Sequence, residues 1–275
     1  MSKSFALALG AGGARGLAHI AIFEALDELG QKPTAIAGSS IGALLGAAYA
    51  AGMPAKDIRR FVVLLMHNRS EVFRRLVATR ASTFASLINT GFGGAALVDA
   101  EKFCERFLPA QMPNAFEQLQ IPLIVMATDL HRRTQVAFSS GPLAPALAAS
   151  IALPALVRPV VVGDRVLIDG GATNPLPFDQ LRERADLTIA VDISGEPMED
   201  RRDVPNAWEC LLTTILVMGS AITAEKLKHD PPEVIVRPNV GAFRALDFLQ
   251  ASAILRAAQP VKAAFKEKLA ELLEE

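Results

Sequence analysis

Near its start the chain twice runs from a short apolar stretch into a glycine-rich turn and then into a helix. This pairing limits the fold more than any other feature of the sequence. Phe5 to Leu9 reads as a buried strand that ends in the loop Gly10-Ala11-Gly12-Gly13-Ala14-Arg15-Gly16. Leu17, Ile20, Ala21, Leu26 and Leu29 then recur at helical spacing up to Gly30. Ala35 to Ala37 reads as a second strand, which turns at Gly38-Ser39-Ser40-Ile41-Gly42 into a helix from Ala43 to Ala51. Similar signals recur downstream. Strands are predicted at Leu123–Ala127, Gln135–Phe138, Val160–Val162, Val166–Ile168, Leu187–Val191 and Val234–Val236, with a helix at Pro145–Ile151. Phe248 to Leu273 reads as an amphipathic terminal helix or helix pair. Strands that alternate with helices predict an α/β fold, a mainly parallel sheet covered on both faces. With no internal repeat and no low-complexity linker, residues 1–275 read as one domain. The segment at about 61–108 stands apart. It mixes helical apolar spacing with basic residues and the run Gly91-Phe92-Gly93-Gly94, and reads as a helical insertion.

Composition removes several function classes. The formal net charge is −1 and the signs are mixed, which leaves no electrostatic footprint for nucleic acid. One Trp and one Tyr cannot build a base-stacking platform. Cys104 and Cys210 stand alone, without metal-ligand spacing, so neither a metal site nor a disulfide framework is expected, and a reducing, cytoplasmic setting is. The first residues lack the pattern of a signal peptide. Thr34 to Ala55 is small and apolar, but it is built from Ala and Gly and broken by serines and a proline, so it is not expected to span a membrane. The basic, apolar stretch Arg59–Arg80 fits peripheral contact with a membrane surface and equally a helix packed on the domain. No oligomeric state is read from the sequence.

Three motifs carry chemistry. Gly38-Ser39-Ser40-Ile41-Gly42 has the G-x-S-x-G form of a nucleophile elbow, in which small flanking residues let a tight turn expose the serine hydroxyl at a helix N-terminus. Alone it equally fits a helix start capped by Ser39 or Ser40. The loop Gly10–Gly16 lacks the third glycine of a dinucleotide fingerprint and the Gly-Lys-Ser/Thr end of a phosphate-binding loop. That leaves an oxyanion hole, where consecutive backbone N–H groups face one point, or a plain strand–helix turn. Asp169-Gly170-Gly171 follows an apolar strand and places a carboxylate where open α/β sheets build sites, although Asp-Gly turns are common.

Taken together and in this order, the motifs resemble the bacterial patatin-like phospholipase family, whose pattern is G-G-G-x-R/K-G, then G-x-S-x-G, then D-G-G/A. Here it reads Ala11-Gly12-Gly13-Ala14-Arg15-Gly16, then Gly38 to Gly42, then Asp169-Gly170-Gly171, with Ala11 where the family usually has glycine. Gly16 to Ile20, Ala127 to Leu130, Ala149 to Pro154 and Asn174 to Pro177 are also similar to stretches of bacterial members. The likeness spans roughly Phe5 to Asp192, apart from about Phe61 to Leu119. It implies a three-layer α/β/α fold and a Ser–Asp dyad, with Ser40 as nucleophile and Asp169 as base. It also implies an oxyanion hole at the Gly12 and Gly13 amides, and at Arg15 a basic residue that orients the loop or a phosphate. Gly16, Gly38 and Gly42 support the loop and the elbow. The implied activity is hydrolysis of fatty-acyl esters of the phospholipid or lysophospholipid kind, with no cofactor and no metal.

Other residues invite rival assignments. His19 follows the glycine loop and reads better as a core residue than as a base. Ser40, Asp169 and His229 match the chain order of an α/β-hydrolase triad, but His229 lies in a polar loop, and that fold's elbow normally follows several strands. Asp129 and His131 read as a strand-end turn, and Asp192 as turn chemistry. Two alternatives complete the set: an acyltransferase or thioesterase on a related fold, and a weakly active lipid-binding regulator. Acyl-carrier transferases usually place a His beside the elbow serine, where this chain has Ser39.

Overall fold

A computed structural model describes residues 3–67, 98–195, 204 and 206–274. The chain runs β1 (Phe5–Leu9), a 3-10 turn (Gly13–Ala18), α1 (His19–Leu29), β2 (Ile36–Ser39), α2 (Ile41–Ala50) and α3 (Ala55–His67). It continues with α4 (Ala100–Phe107), β3 (Leu123–Asp129), β4 (Thr134–Phe138), α5 (Leu143–Ser150), β5 (Val160–Val162), β6 (Arg165–Asp169) and β7 (Leu187–Val191). The last elements are α6 (Ala207–His229), β8 (Val234–Val236), α7 (Ala251–Ala257) and α8 (Gln259–Glu274).

One mixed sheet has the order β5-β6-β3-β2-β1-β7-β8, with β4 also on β3. The five strands β3, β2, β1, β7 and β8 are parallel, and β4, β5 and β6 are antiparallel additions. Every residue of β1, β2, β3 and β7 is buried. This is the physical meaning of their unbroken apolar runs: strands covered on both faces do not alternate. The layers are unequal. On one face Leu7, Leu9, Ile36, Val125 and Ile189 join a large core with α1, α2, α7 and α8. On the other, Ala6, Ala8, Ala37 and Ala190 meet a thin layer made by Leu176, Phe178 and Leu181, with Leu227 of α6 against it. The result is a three-layer α/β/α arrangement.

The register around β3 decides where the site falls. β4 occupies one edge of β3 along Val125–Asp129. The other edge is shared. β2 pairs parallel with Leu123–Met126, and β6 pairs antiparallel with Ala127–Asp129. The C-terminal ends of β2 and β6 therefore meet head-on, with Ser39 opposite Met126 and Asp169 opposite Ala127.

As the sequence reading expects, Thr34 to Ala55 is taken up mainly by β2 and α2, not by a span. The terminal segment is two helices, broken at Ala258. The sequence reading does not include helix α6, whose uncharged run from Cys210 to Ala224 spreads its apolar residues around the helix and gives no 3.6-residue stripe. Within the proposed insertion fall the end of α3 and the whole of α4, and its residues 68–97 lie outside the described residues.

Candidate active site

Ser40 sits between β2 and α2 with φ 55° and ψ −123°, a conformation that costs a non-glycine residue about 1–3 kcal/mol. Four hydrogen bonds hold it there. Its N–H donates to the Ser150 hydroxyl (2.9 Å), and its carbonyl accepts from Ala43 and Leu44 in the first turn of α2. Its own Oγ donates to Asp169 Oδ2 at 2.7 Å. Neither serine of the pair caps α2. Ser39 ends β2 fully buried, and its hydroxyl has no partner among the described residues. Gly42 shows why the elbow needs small flanks, since a Cβ there would lie 2.4 Å from the Leu9 carbonyl. Gly38 lies in β2 on the near side of the same turn.

Asp169 is the last residue of β6 and only 5% exposed. Its backbone is locked by its N–H to Ala152 O (3.0 Å) and by Thr128 Oγ1 to its carbonyl (2.9 Å). Its Oδ1 accepts from Gly171 N–H at 2.7 Å. Burial pushes the carboxyl up to about 6, against the pull of the hydrogen bonds from Ser40 and Gly171, which favour the charged form.

The glycine loop lies against the same space. The amides of Gly10, Ala11 and Ala14 are committed to the carbonyls of Val191, Pro175 and Ala245. Those of Gly12 and Gly13 have no acceptor among the described residues, and both glycines line the cavity that holds Ser40. Gly13 has φ +60°, and a Cβ there would lie 2.2 Å from Ala245 O, so the position excludes a side chain on two counts. Arg15 binds the Phe243 carbonyl through Nε (2.7 Å) and the Ser194 carbonyl through Nη1. It thereby ties the loop to the C-terminal part of the chain, beside Gly16 in the 3-10 turn.

His19 is fully buried and its Nε2 lies 3.0 Å from Gly10 O, so Nε2 carries the proton and donates. Burial lowers its pKa to about 4, which keeps the ring neutral beneath the glycine loop. His229 is exposed on α6 and bonds Glu225. Asp129 accepts from the amides of His131 and Arg132, a strand-end turn. Asp192 takes the Ser194 amide and hydroxyl and also contributes to the cavity wall. Among the described residues no histidine bonds Ser40 or Asp169.

Above the Ser40–Asp169 pair opens a cavity of about 650 Å3, within the usual range for small-molecule sites. Leu44, Phe103, Phe107, Leu156 and Val157 form its apolar wall on one side, and Leu212, Ile215 and Leu216 of α6 another. Ser150 and the α6 wall were missed in the sequence. Nothing in spacing marks Ser150, whereas the uncharged run from Cys210 to Ala224 is visible once sought.

The patatin-like phospholipase family model matches residues 7–182, which include the glycine loop, Ser40 and Asp169. An uncharacterized NTE family protein of Mycobacterium tuberculosis is 40% identical over 223 residues, 80% of this chain and 58% of that protein. Lysophospholipase NTE1 of Yarrowia lipolytica is 24% identical over 271 residues, 90% of this chain and 18% of that protein. The chain thus spans little more than half of the mycobacterial relative. The structure of VipD from Legionella pneumophila shares the fold, with a TM-score of 0.53 at 15% identity over 97% of this chain and 67% of that one. On the extent of the family match, the chain belongs to the patatin-like phospholipases, a family of lipid hydrolases.

Proposed function

We propose that the chain hydrolyses fatty-acyl esters of phospholipids or lysophospholipids through a Ser40–Asp169 dyad. The observation that carries this reading is the 2.7 Å hydrogen bond from Ser40 Oγ to a buried carboxylate at the floor of an apolar cavity. A hydroxyl is a weak nucleophile until a base takes its proton, and a carboxyl raised to about 6 is a better base than a solvated one. Ser40 Oγ attacks the ester carbonyl while its proton passes to Asp169 Oδ2. The carbonyl oxygen becomes an oxyanion and accepts from the Gly12 and Gly13 amides. Collapse breaks the ester bond, and the leaving alcohol takes the proton from Asp169. Water then gives a proton to Asp169 and attacks the acyl-enzyme. The fatty acid leaves and Ser40 recovers its proton. The acyl chain lies along the apolar wall, and the name of the Yarrowia relative is in keeping with a lysophospholipid substrate.

Active-site labelling with a fluorophosphonate, followed by peptide mapping, tests the reading. The expected result is one adduct on Ser40, none in Ser40→Ala, and much slower labelling of Asp169→Asn. Active enzyme whose adduct maps to another residue overturns it.

A further inference from the structure

Helix α6 presents a conflict between sequence and exposure. From Cys210 to Ala224 no residue is charged, and it is the one helix among the described residues long and apolar enough to cross a membrane. A helix apolar all round is normally buried or in lipid. Only 17% of an 18-residue apolar window of this helix is buried inside the domain. Its inner face is accounted for, since Leu212, Ile215, Leu216, Gly219, Ser220 and Thr223 line the cavity above Ser40. Its outer face is not: Leu211, Val217 and Met218 are 43%, 61% and 59% exposed. Leu246 and Leu249, from a separate segment, are also about half exposed and also line the cavity. Two elements thus place large apolar side chains in water around one opening.

We propose that the outer face of α6 is the surface by which the protein docks on a phospholipid layer, with the cavity opening beside it. The inference rests on the lipid-hydrolase reading for the choice of occupant. An acyl chain that passes from a lipid layer into a cavity bordered by that layer need not cross water, whereas a soluble protein partner would gain nothing from the shared border with the cavity. The helix lies on the layer and does not span it. Its C-terminal turns are pinned to the domain by Lys226, which donates to Asn174 Oδ1 (2.6 Å) and the Leu176 carbonyl (2.9 Å) and pairs with Asp179. Insertion across the layer would break these contacts. The absence of charge from Cys210 to Ala224 makes the contact apolar, so it resists salt, unlike adsorption through basic residues.

The test uses phosphatidylcholine vesicles and the triple variant Leu211→Glu, Val217→Glu, Met218→Glu, none of whose positions lines the cavity. Wild type should co-sediment with vesicles equally at about 0.05 M and about 0.5 M salt. The variant should lose at least about tenfold in partitioning and in hydrolysis of vesicle phospholipid, yet keep its rate on a short monomeric ester. Met218→Trp, a milder change, should partition more strongly than wild type. Three outcomes overturn the proposal: wild type that stays in the supernatant, equal sedimentation of wild type and the triple variant, or a wild-type dimer by light scattering that the triple variant dissolves. Labelling of Ser40 by fluorophosphonate in the absence of vesicles separates this failure from failure of the hydrolase reading.

Discussion

Asp169→Asn should inactivate the enzyme and stabilise the fold, with a pH dependence that identifies the cause. The carboxyl is carried from an ordinary 3.8 to about 6 by burial, and Asn keeps the shape while it removes the charge. A folded-state pKa above the unfolded value means that the folded protein binds this proton more tightly. The resulting stability is full below about 4 and is lost as the pH rises through about 6. The loss amounts to about 3 kcal/mol at pH 8, at about 1.4 kcal/mol per pH unit. Asn never carries the charge, so the variant should exceed wild type by about that amount at pH 8 and match it near pH 4. His19 acts in the opposite sense, because its pKa is lowered to about 4: its contribution is present above about 6.5 and fades as the pH falls through about 4. It is common to both proteins and cancels in their difference. Urea unfolding at pH 4, 6 and 8 measures the gap, and ester hydrolysis by wild type should rise with pH through about 6. A variant no more stable than wild type at pH 8, or a gap that persists undiminished at pH 4, refutes the reasoning.

Further outcomes follow from the same geometry. Ser40→Ala should abolish hydrolysis of p-nitrophenyl esters in a folded protein. Ser39→Ala should keep most activity and leave stability unchanged or improved, because it removes a buried hydroxyl with no partner, as thermal melting would show. Gly13→Ala, with its Cβ driven onto Ala245 O, should cost about two to three powers of ten in kcat with little change in KM, and normal turnover would reduce the loop to a turn. A second apolar cavity of about 90 Å3 between α2 and α3 shares Phe103, Phe107, Leu44 and Met66 with the main one. Phe103→Ala should join the two and move kcat/KM toward longer acyl chains across a series of p-nitrophenyl esters, and an unchanged profile refutes that partition.

The parallel core was legible because its strands announce themselves. β1, β3 and β7 are short apolar runs beside glycine or charged turns, and each was placed within about two residues. Ser40 and Asp169 were legible as motif positions only through the order of the three motifs, since each turn alone has common structural uses. Three things were not. Helix α6 has no polar face, so it gives no amphipathic signal. Ser150 touches Ser40 across 110 positions through a single hydroxyl, a tertiary contact that no local pattern encodes. Ser40 takes the N-cap position of α2, but its hydroxyl bonds Asp169 and not the helix, a choice between local and tertiary partners that no local pattern settles.

The sheet register explains how a Ser–Asp pair can form without an intervening histidine. In a triad the imidazole spans the gap between a nucleophile on one strand and an acid on another. Here the two strand ends share one edge of β3 and point at each other, so neighbouring β3 residues, Met126 and Ala127, set the spacing of Ser39 and Asp169. No gap is left for an imidazole. The arrangement has a consequence for the carboxylate. A strand end buried between β3, α5 and the glycine turn raises its pKa, whereas the Ser40 hydroxyl and the Gly171 amide lower it. The two effects leave it near 6, where the charged form still dominates at neutral pH but holds a proton more readily than a solvated Asp. A single extra N–H on Asp169 would make it a weaker base, and loss of the Gly171 bond would raise its pKa further. In the proposed mechanism, the strand register and the single amide at Gly171 together set the basicity on which hydrolysis depends.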